Sequence, residues 1–261
     1  MAMHDRETPL AEQVVVVTGG GRGLGRSIVR AFAREGACVA VNYRRSREQA
    51  EALAAEIGED RAFAVEADVT DEYQVNELFA DVRARFGMSA TTVVNNALAD
   101  FSFNGDARPH ADRIRWDEFS AQFEGGVRAA LNTVQAALPD LRAQGSGRII
   151  NIGTNLFQRP VVPYHDYTAA KAALLSLTRT MATDLGPDGI TVNMVSGGLL
   201  RTTDASAGTP EVVFDGIAES TPLRHVVAPE EFADAVLFFA SPWARAVTGQ
   251  NLVVDGGFVT D

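Results

Sequence analysis

The stretch VVVVTGGGRGLGRSIVRAFAREG, residues 14–36, decides the fold. Four consecutive valines read as a strand buried on both faces. The run breaks at Thr18 into a glycine-rich turn, and apolar residues then recur at helical spacing until Gly36, a stop signal. Strand, glycine turn and helix in that order form the context in which a glycine pattern carries meaning. Gly19, Gly23 and Gly25 let the backbone approach a pyrophosphate, whose charge would rest on the helix N-terminus. The plainer alternative is a tight turn without a ligand.

Outward from this unit the alternation continues. CVAVNY (38–43) reads as the second strand, RAFAVEADV as a third ending near Asp68, and TTVVNNA as a fourth ending at Asn95–Asn96. GRIINIGT (147–154), GITVNMV and NLVVDGG supply three more. Helical patterns fill the intervals, including a long one from Trp116 to Leu141 and one carrying Tyr167 and Lys171 to about Leu185. Strands alternating with helices predict an α/β fold: a Rossmann-type, doubly wound parallel sheet of about seven strands with helices on both faces. Residues 1–261 contain no repeat or linker and read as a single domain, with residues 1–12 flexible. Ligands bind such sheets beyond the carboxyl ends of the strands, where Thr18, Tyr43, Asp68 and Asn95 all fall. Two polar segments, 98–115 and 199–226, are long enough to cover a site; the second reads as a substrate flap containing a short helix.

Composition narrows the function. A formal net charge of −11 disfavours nucleic acid and anionic membranes, which need clustered Lys and Arg. The one cysteine, Cys38, excludes an internal disulfide and reads as a small buried hydrophobe in a reducing compartment. The polar N-terminus shows no secretory signal and no apolar run reaches bilayer length, so a cytoplasmic location is expected. His4, His110, His165 and His225 are scattered without a metal-ligand spacing, so no metal is expected. His165, between Tyr164 and Tyr167, reads as a surface or packing residue, with pocket lining the alternative.

The chemistry is concentrated in TNLFQRPVVPYHDYTAAK, residues 154–171. Tyr167 and Lys171 are one helical turn apart on the same face. An ammonium beside a phenol favours phenolate, which would lower the tyrosine's pKa from about 10. Such a phenol can serve as general acid or base toward an alcohol or ketone.

Together these motifs resemble the short-chain dehydrogenase/reductase family, and more narrowly its 3-oxoacyl-(acyl-carrier-protein) reductases. The resemblance runs from Val14 to Gly257. It rests on TGGGRGLG, Asp68-Val69, NNA at 95–97, YTAAK at 167–171, VNMVSGG at 192–198 and the closing VTGQNLVVDGG. It implies that Tyr167 exchanges the proton on the substrate oxygen and that Lys171 supports it and binds the nicotinamide ribose. Thr154 stands where serine is usual and would orient the carbonyl. It also implies a nicotinamide dinucleotide held by Gly19, Gly21, Arg22, Gly23, Leu24, Gly25, Tyr43, Arg44, Asp68, Val69, Asn95, Asn96, Ala97, Tyr167, Lys171, Gly198, Leu200 and Thr202.

Three positions depart from the family. Leu98 replaces a glycine, so its turn must avoid positive φ or be strained. Gly197-Gly198 replaces Pro-Gly and would loosen the flap hinge. Gly126 stands where a catalytic asparagine is usual; a kinked helix with substitute waters is the expected arrangement. At the end of the second strand Tyr43 replaces the acid typical of NAD enzymes, while Arg22 and Arg44 suit a 2′-phosphate, so NADP(H) is expected.

The sequence therefore reads as an NADPH-dependent carbonyl reductase, with a 3-oxoacyl thioester as the substrate class the resemblance implies. Alternatives are a reductase or dehydrogenase of another secondary alcohol or sugar, or a non-catalytic NADP(H)-binding sensor. Apolar excess on the helices before and after the fifth strand, with the resemblance, implies a homotetramer, or next a homodimer.

Overall fold

The computed structural model describes residues 8–98, 101, 103, 108–204 and 206–260. Its strands are β1 (Val14–Val17), β2 (Cys38–Tyr43), β3 (Ala62–Glu66), β4 (Thr92–Asn95), β5 (Gly147–Thr154), β6 (Ile190–Gly197) and β7 (Asn251–Val254). Its helices are α1 (Gly23–Arg34), α2 (Arg47–Ile57), α3 (Glu72–Phe86), α4 (Trp116–Phe123), α5 (Ala129–Gln144), α6 (His165–Leu185), α7 (Glu211–Ser220) and α8 (Pro229–Ala240).

All four β1 valines are fully buried, and they part by position. Val15 and Val17 join an apolar cluster with Ile28, Phe32, Leu53 and Val236 from α1, α2 and α8. Val14 and Val16 join a second with Phe79, Leu141 and Leu185 from α3, α5 and α6. This is the two-residue period of a strand sandwiched between helix layers. The sheet order is β3-β2-β1-β4-β5-β6-β7, and every pairing is parallel. Chain direction across the sheet reverses between β1 and β4, which puts a crevice beyond their carboxyl ends.

The expected seven-strand doubly wound architecture is the one observed, with two local corrections. The long helix expected over 116–141 is interrupted: α4 ends at Phe123, Glu124–Arg128 form a π-helical turn, and α5 continues to Gln144. Gly125-Gly126 weakens the helix there, because glycine has no side chain to pack and the most backbone freedom to lose. Within the segment expected to be flexible, Leu10–Glu12 form a 3-10 turn, while residues 1–7 lie outside the described residues.

Behind the crevice runs a buried chain of hydrogen bonds. Thr133 Oγ1 donates to Asn95 Oδ1 (2.6 Å), and Asn95 Nδ2 donates to Asn151 Oδ1 (2.8 Å). Asn151 Nδ2 donates to Thr178 Oγ1 (2.8 Å), which donates to the Leu174 carbonyl (2.8 Å). It ties α5, β4, β5 and α6 together through side chains that are all buried. Asn151→Leu strands a donor and an acceptor inside it, so unfolding free energy in urea should fall by roughly 2–4 kcal/mol. Asn76→Ala, whose amide bonds an exposed carbonyl, should change it by less than about 0.5 kcal/mol.

Candidate active site

The glycine turn is gripped from both neighbouring strands. Thr18 Oγ1 accepts from the backbone amides of Asn96 and Ala97, each at 2.9 Å. Asn96 Nδ2 donates to the carbonyls of Thr18 (2.9 Å) and Gly19 (3.2 Å). From β2, Asn42 Oδ1 accepts from Gly19 N at 3.2 Å, and its carbonyl from Gly20 N at 2.8 Å. Gly19 needs its glycine for a φ of 61°. Gly25 needs it for space, because a Cβ there would lie 2.3 Å from the Gly19 carbonyl oxygen. Arg22 caps α1 without a side-chain hydrogen bond to its first turn, which leaves those amides for an anion. A cradle that tight, opening on an uncapped helix start, fits the pyrophosphate of a dinucleotide.

At the end of β2, Tyr43 is buried and its hydroxyl donates to Glu66 Oε2 at 3.4 Å. Arg44 Nη1 lies 3.3 Å from Asp68 Oδ2. Burial opposes ionisation of Asp68, but hydrogen bonds from Thr70 and the Arg44 charge outweigh it and lower its pKa. Val69 follows, its carbonyl accepting from Asn132 Nδ2 of α5 at 3.0 Å. Arg22, two-thirds exposed, is 3.9 Å from Asp204. Thr203 and Asp204 thereby sit against Gly23, so the start of the 199–226 segment meets the turn.

Thr154, Tyr167 and Lys171 converge at the ends of β5 and α6, and all three are buried. The Thr154 hydroxyl accepts from the Leu156 amide at 3.3 Å and faces the Tyr167 phenol. Lys171 Nζ donates to the Ile152 carbonyl at 2.6 Å and lies 5.8 Å from the Tyr167 ring centroid. The expected lowering of the phenol's pKa is therefore corrected. Burial pushes Tyr167 up to about 12; the Thr154 hydroxyl pulls the other way, and Tyr164 adds a smaller upward push. Burial likewise pushes Lys171 down to about 8. Both groups are driven toward their neutral forms. Lys171 also lines a small cleft with Thr18, Asn95, Ala97 and Gly126, placed by the π-helical turn.

The other departures resolve locally. Arg224 is the one non-glycine with positive φ among the described residues, so Leu98 adopts no left-handed turn. At Gly197-Gly198, expected to loosen the flap hinge, neighbouring side chains crowd the backbone. A Cβ on Gly197 would come within 2.8 Å of Phe232, and one on Gly198 within 2.9 Å of Asn155 Nδ2, so both are packing positions. Asn155 Nδ2 also donates to Asp255 Oδ2 at 2.8 Å, tying the residue after Thr154 to the C-terminal turn. Leu200 is buried and Thr202 exposed. His165 is exposed, and Cys38 is half-buried with its thiol pushed up by burial. Among the described residues no cluster of His, Cys, Asp or Glu could hold a metal, and no helix is long and apolar enough to cross a membrane.

Several site residues escape the sequence reading. Ser46 Oγ lies 3.1 Å from where a Gly21 Cβ would stand, beside the phosphate cradle. Asn42 and Asn151 hold the strand ends; an amide inside an apolar strand run is the signal that could have exposed them. Arg108 and Asp166, a partly buried ion pair beside Tyr167, carry no comparable sequence signal.

Two predictions follow from this geometry. Gly25→Ala should abolish any rise in Tm that a saturating nicotinamide dinucleotide gives the parent protein. Gly126→Ala, whose Cβ would meet nothing within 4 Å, should leave that shift intact and raise stability by about 0.4–1 kcal/mol. The second concerns pH. Between pH 8 and the ordinary lysine value of 10.5, the unfolded chain holds a proton that buried Lys171 has released. Stability therefore gains a contribution that rises with pH, by at most about 1.4 kcal/mol per unit. Tyr167 acts oppositely above pH 10, where its unfolded form ionises first. Urea unfolding from pH 7.5 to 10 should show the rise flattened in Lys171→Met.

Comparison with known proteins agrees with this arrangement. Residues 19–259 match the family described as Enoyl-(Acyl carrier protein) reductase. The 3-oxoacyl-[acyl-carrier-protein] reductase FabG of Staphylococcus epidermidis is 34% identical over 245 residues, 93% of this chain and 97% of that protein. A hydroxynaphthalene reductase-like protein of Metarhizium guizhouense is 33% identical over 271 residues, 97% of this chain and 98% of its own. A Sinorhizobium meliloti dehydrogenase/reductase superposes with a TM-score of 0.86 at 32% identity, with 97% of each chain covered. A variant of a Serratia marcescens short-chain dehydrogenase/reductase gives 0.85 at 32% identity, covering 97% of this chain and 100% of that one. Similarity of sequence and fold along nearly the whole chain shows that this protein belongs to the short-chain dehydrogenase/reductase family of nicotinamide-dependent oxidoreductases.

Proposed function

We propose that this protein is an NADPH-dependent carbonyl reductase. The observation that carries the reading is the convergence of Thr154 and Lys171 on the buried Tyr167 phenol at the ends of β5 and α6. At neutral pH the phenol holds the proton that a ketone oxygen needs as it becomes an alkoxide. Tyr167 gives that proton from its hydroxyl, and the Thr154 hydroxyl orients the carbonyl oxygen. Bound NADPH supplies the hydride to the carbonyl carbon, so the products are a secondary alcohol and NADP⁺. Lys171 binds the ribose, and solvent entering the cleft at Gly126 takes the place of the usual asparagine in returning a proton to the site.

The nucleotide would be held by the 19–25 turn, by Asp68 and Val69, by Asn95, Asn96 and Ala97, and by Gly198, Leu200 and Thr202. Preference for the 2′-phosphate is supported by Arg44 at the end of β2 and by Tyr43 in place of an acid. Ser46 adds a hydroxyl beside the same turn. The FabG relatives make a 3-oxoacyl thioester the first substrate to test. Phe101 and Tyr164 beside Tyr167 argue against a sugar or polyol, which would need polar partners. A cytoplasmic homotetramer is the proposed setting; association is supported by the exposed Trp116 of α4, Leu252 of β7 and Trp243 just before it.

The test is loss of NADPH absorbance with a 3-oxobutanoyl thioester. Tyr167→Phe should lower kcat by about 10²–10⁴-fold while NADPH affinity stays within about twofold. Full activity in that variant would overturn the mechanism. A parent protein that binds NADPH but reduces neither the thioester nor any of a panel of ketones would instead favour a non-catalytic sensor.

A further inference from the structure

The short turn after Thr154 is clamped from the C-terminal end of the chain. Asn155–Phe157 form a single 3-10 turn capped by Thr154, whose hydroxyl accepts from the Leu156 amide at 3.3 Å. At that length the bond is weak, so the conformation of the turn decides where the hydroxyl points. Both ends of the turn are held. Asn155 Nδ2 donates to Asp255 Oδ2 at 2.8 Å, and both side chains are buried. Four residues on, Arg159 Nη1 donates to the Phe258 carbonyl at 2.8 Å, with its guanidinium 3.8 Å from the Phe258 ring centroid. Asp255 is also the hub of its own turn: Oδ1 accepts from the Gly257 amide at 3.1 Å and Oδ2 from the Val259 amide at 3.0 Å. That same turn carries the end of the 199–226 segment. Leu223 N donates to the Gly256 carbonyl at 3.1 Å. A Cβ on Gly256 would lie 3.4 Å from Thr221, and one on Gly257 2.9 Å from Pro222.

We propose that Asn155 and Asp255 are positioning residues, which set the Thr154 hydroxyl and the end of the 199–226 segment together through one shared carboxylate. The proposal rests on the reductase reading, in which Thr154 orients the substrate carbonyl, and adds what orients Thr154. A buried carboxylate is held by the donors around it, and each one lost leaves an oxygen unsatisfied. Without the Asn155 amide, Asp255 keeps only donors from its own turn, and the two turns come apart. The Asn155–Phe157 turn is then free to carry the Leu156 amide away from Thr154, and the threonine hydroxyl loses its fixed direction. The Gly256 carbonyl shifts beneath Leu223 at the same time. Both effects pass through one side chain, so they should appear together.

Hydrogen exchange tests the link without turnover. In the intact protein Asn155→Ala should speed exchange of the Leu223 amide by about tenfold or more. The Cys38 amide, bonded to the Gln13 carbonyl at the amino end of β2, should stay within about twofold of the parent. If that variant fails to fold, Asp255→Asn, which turns one acceptor oxygen into a donor, should give the same pattern. Kinetics test the action on Thr154. With a 3-oxobutanoyl thioester, Asn155→Ala should lower kcat about tenfold while KM and NADPH affinity stay within about twofold. In a Thr154→Ala background the same substitution should change kcat by less than about twofold, because the hydroxyl it positions is gone. Parent-like exchange at Leu223, or an equal loss of kcat in both backgrounds, would overturn the proposal and leave an active reductase standing. Faster exchange at Leu223 in a protein that reduces neither the thioester nor a panel of ketones keeps the shared clamp and sinks the reductase.

Discussion

Two asparagine side chains facing each other across the sheet, Asn95 and Asn151, hold this site together. A parallel sheet buried on both faces offers few places for polar side chains, and each one present must find a partner. Here the partners come from the helices: Thr133 on one side and Thr178 on the other. The consequence is positional. Thr178 is two turns after Lys171 on α6, so the register of that helix against β5 is set by a hydrogen bond as well as by apolar packing. Lys171 then reaches the Ile152 carbonyl, and Tyr167 faces Thr154, without either being held by a surface contact.

Burial does the electrostatic work. Tyr167 and Lys171 are pushed in opposite directions, the acid upward and the base downward, and both toward neutrality. The ammonium is placed to hold a backbone carbonyl rather than the phenol, so the hydroxyl keeps its proton. That state suits reduction, in which the site gives a proton away. The glycine turn follows a similar logic of proximity: Gly25 is required because a carbonyl oxygen occupies the space of its missing side chain.

Much of the architecture was legible from side-chain periodicity. Runs such as VVVV and GRIINIGT have one reading in a sheet covered on both faces, and β5 begins and ends at the residues its pattern indicated. The strand-end positions followed from the fold, because parallel strands deliver their carboxyl ends to one edge. What stayed hidden depends on three-dimensional surroundings. The fate of the Tyr167 phenol turned on desolvation, which spacing along a helix does not reveal. The π-helical turn replaced a straight helix because Gly125-Gly126 tolerates several backbone paths. Gly197-Gly198 suggested freedom from composition, yet Phe232 and Asn155 fill the space around it. Arg108 and Asp166 lie 58 residues apart in the chain and meet only in the folded protein.

The placement of β1 between β2 and β4 has a consequence for how the chain comes into being. On one side β1 finds its partner within a few tens of residues, since Val14 pairs with Cys38. On the other it waits for Thr92–Asn95, and the Thr18–Asn96 clasp closes a separation of 78 residues. During synthesis from the N-terminus, four valines therefore present an open strand edge until that later segment emerges. The same uninterrupted β-branched run that makes the strand easy to recognise is, for that interval, the stretch of nascent chain most ready to pair with the wrong neighbour.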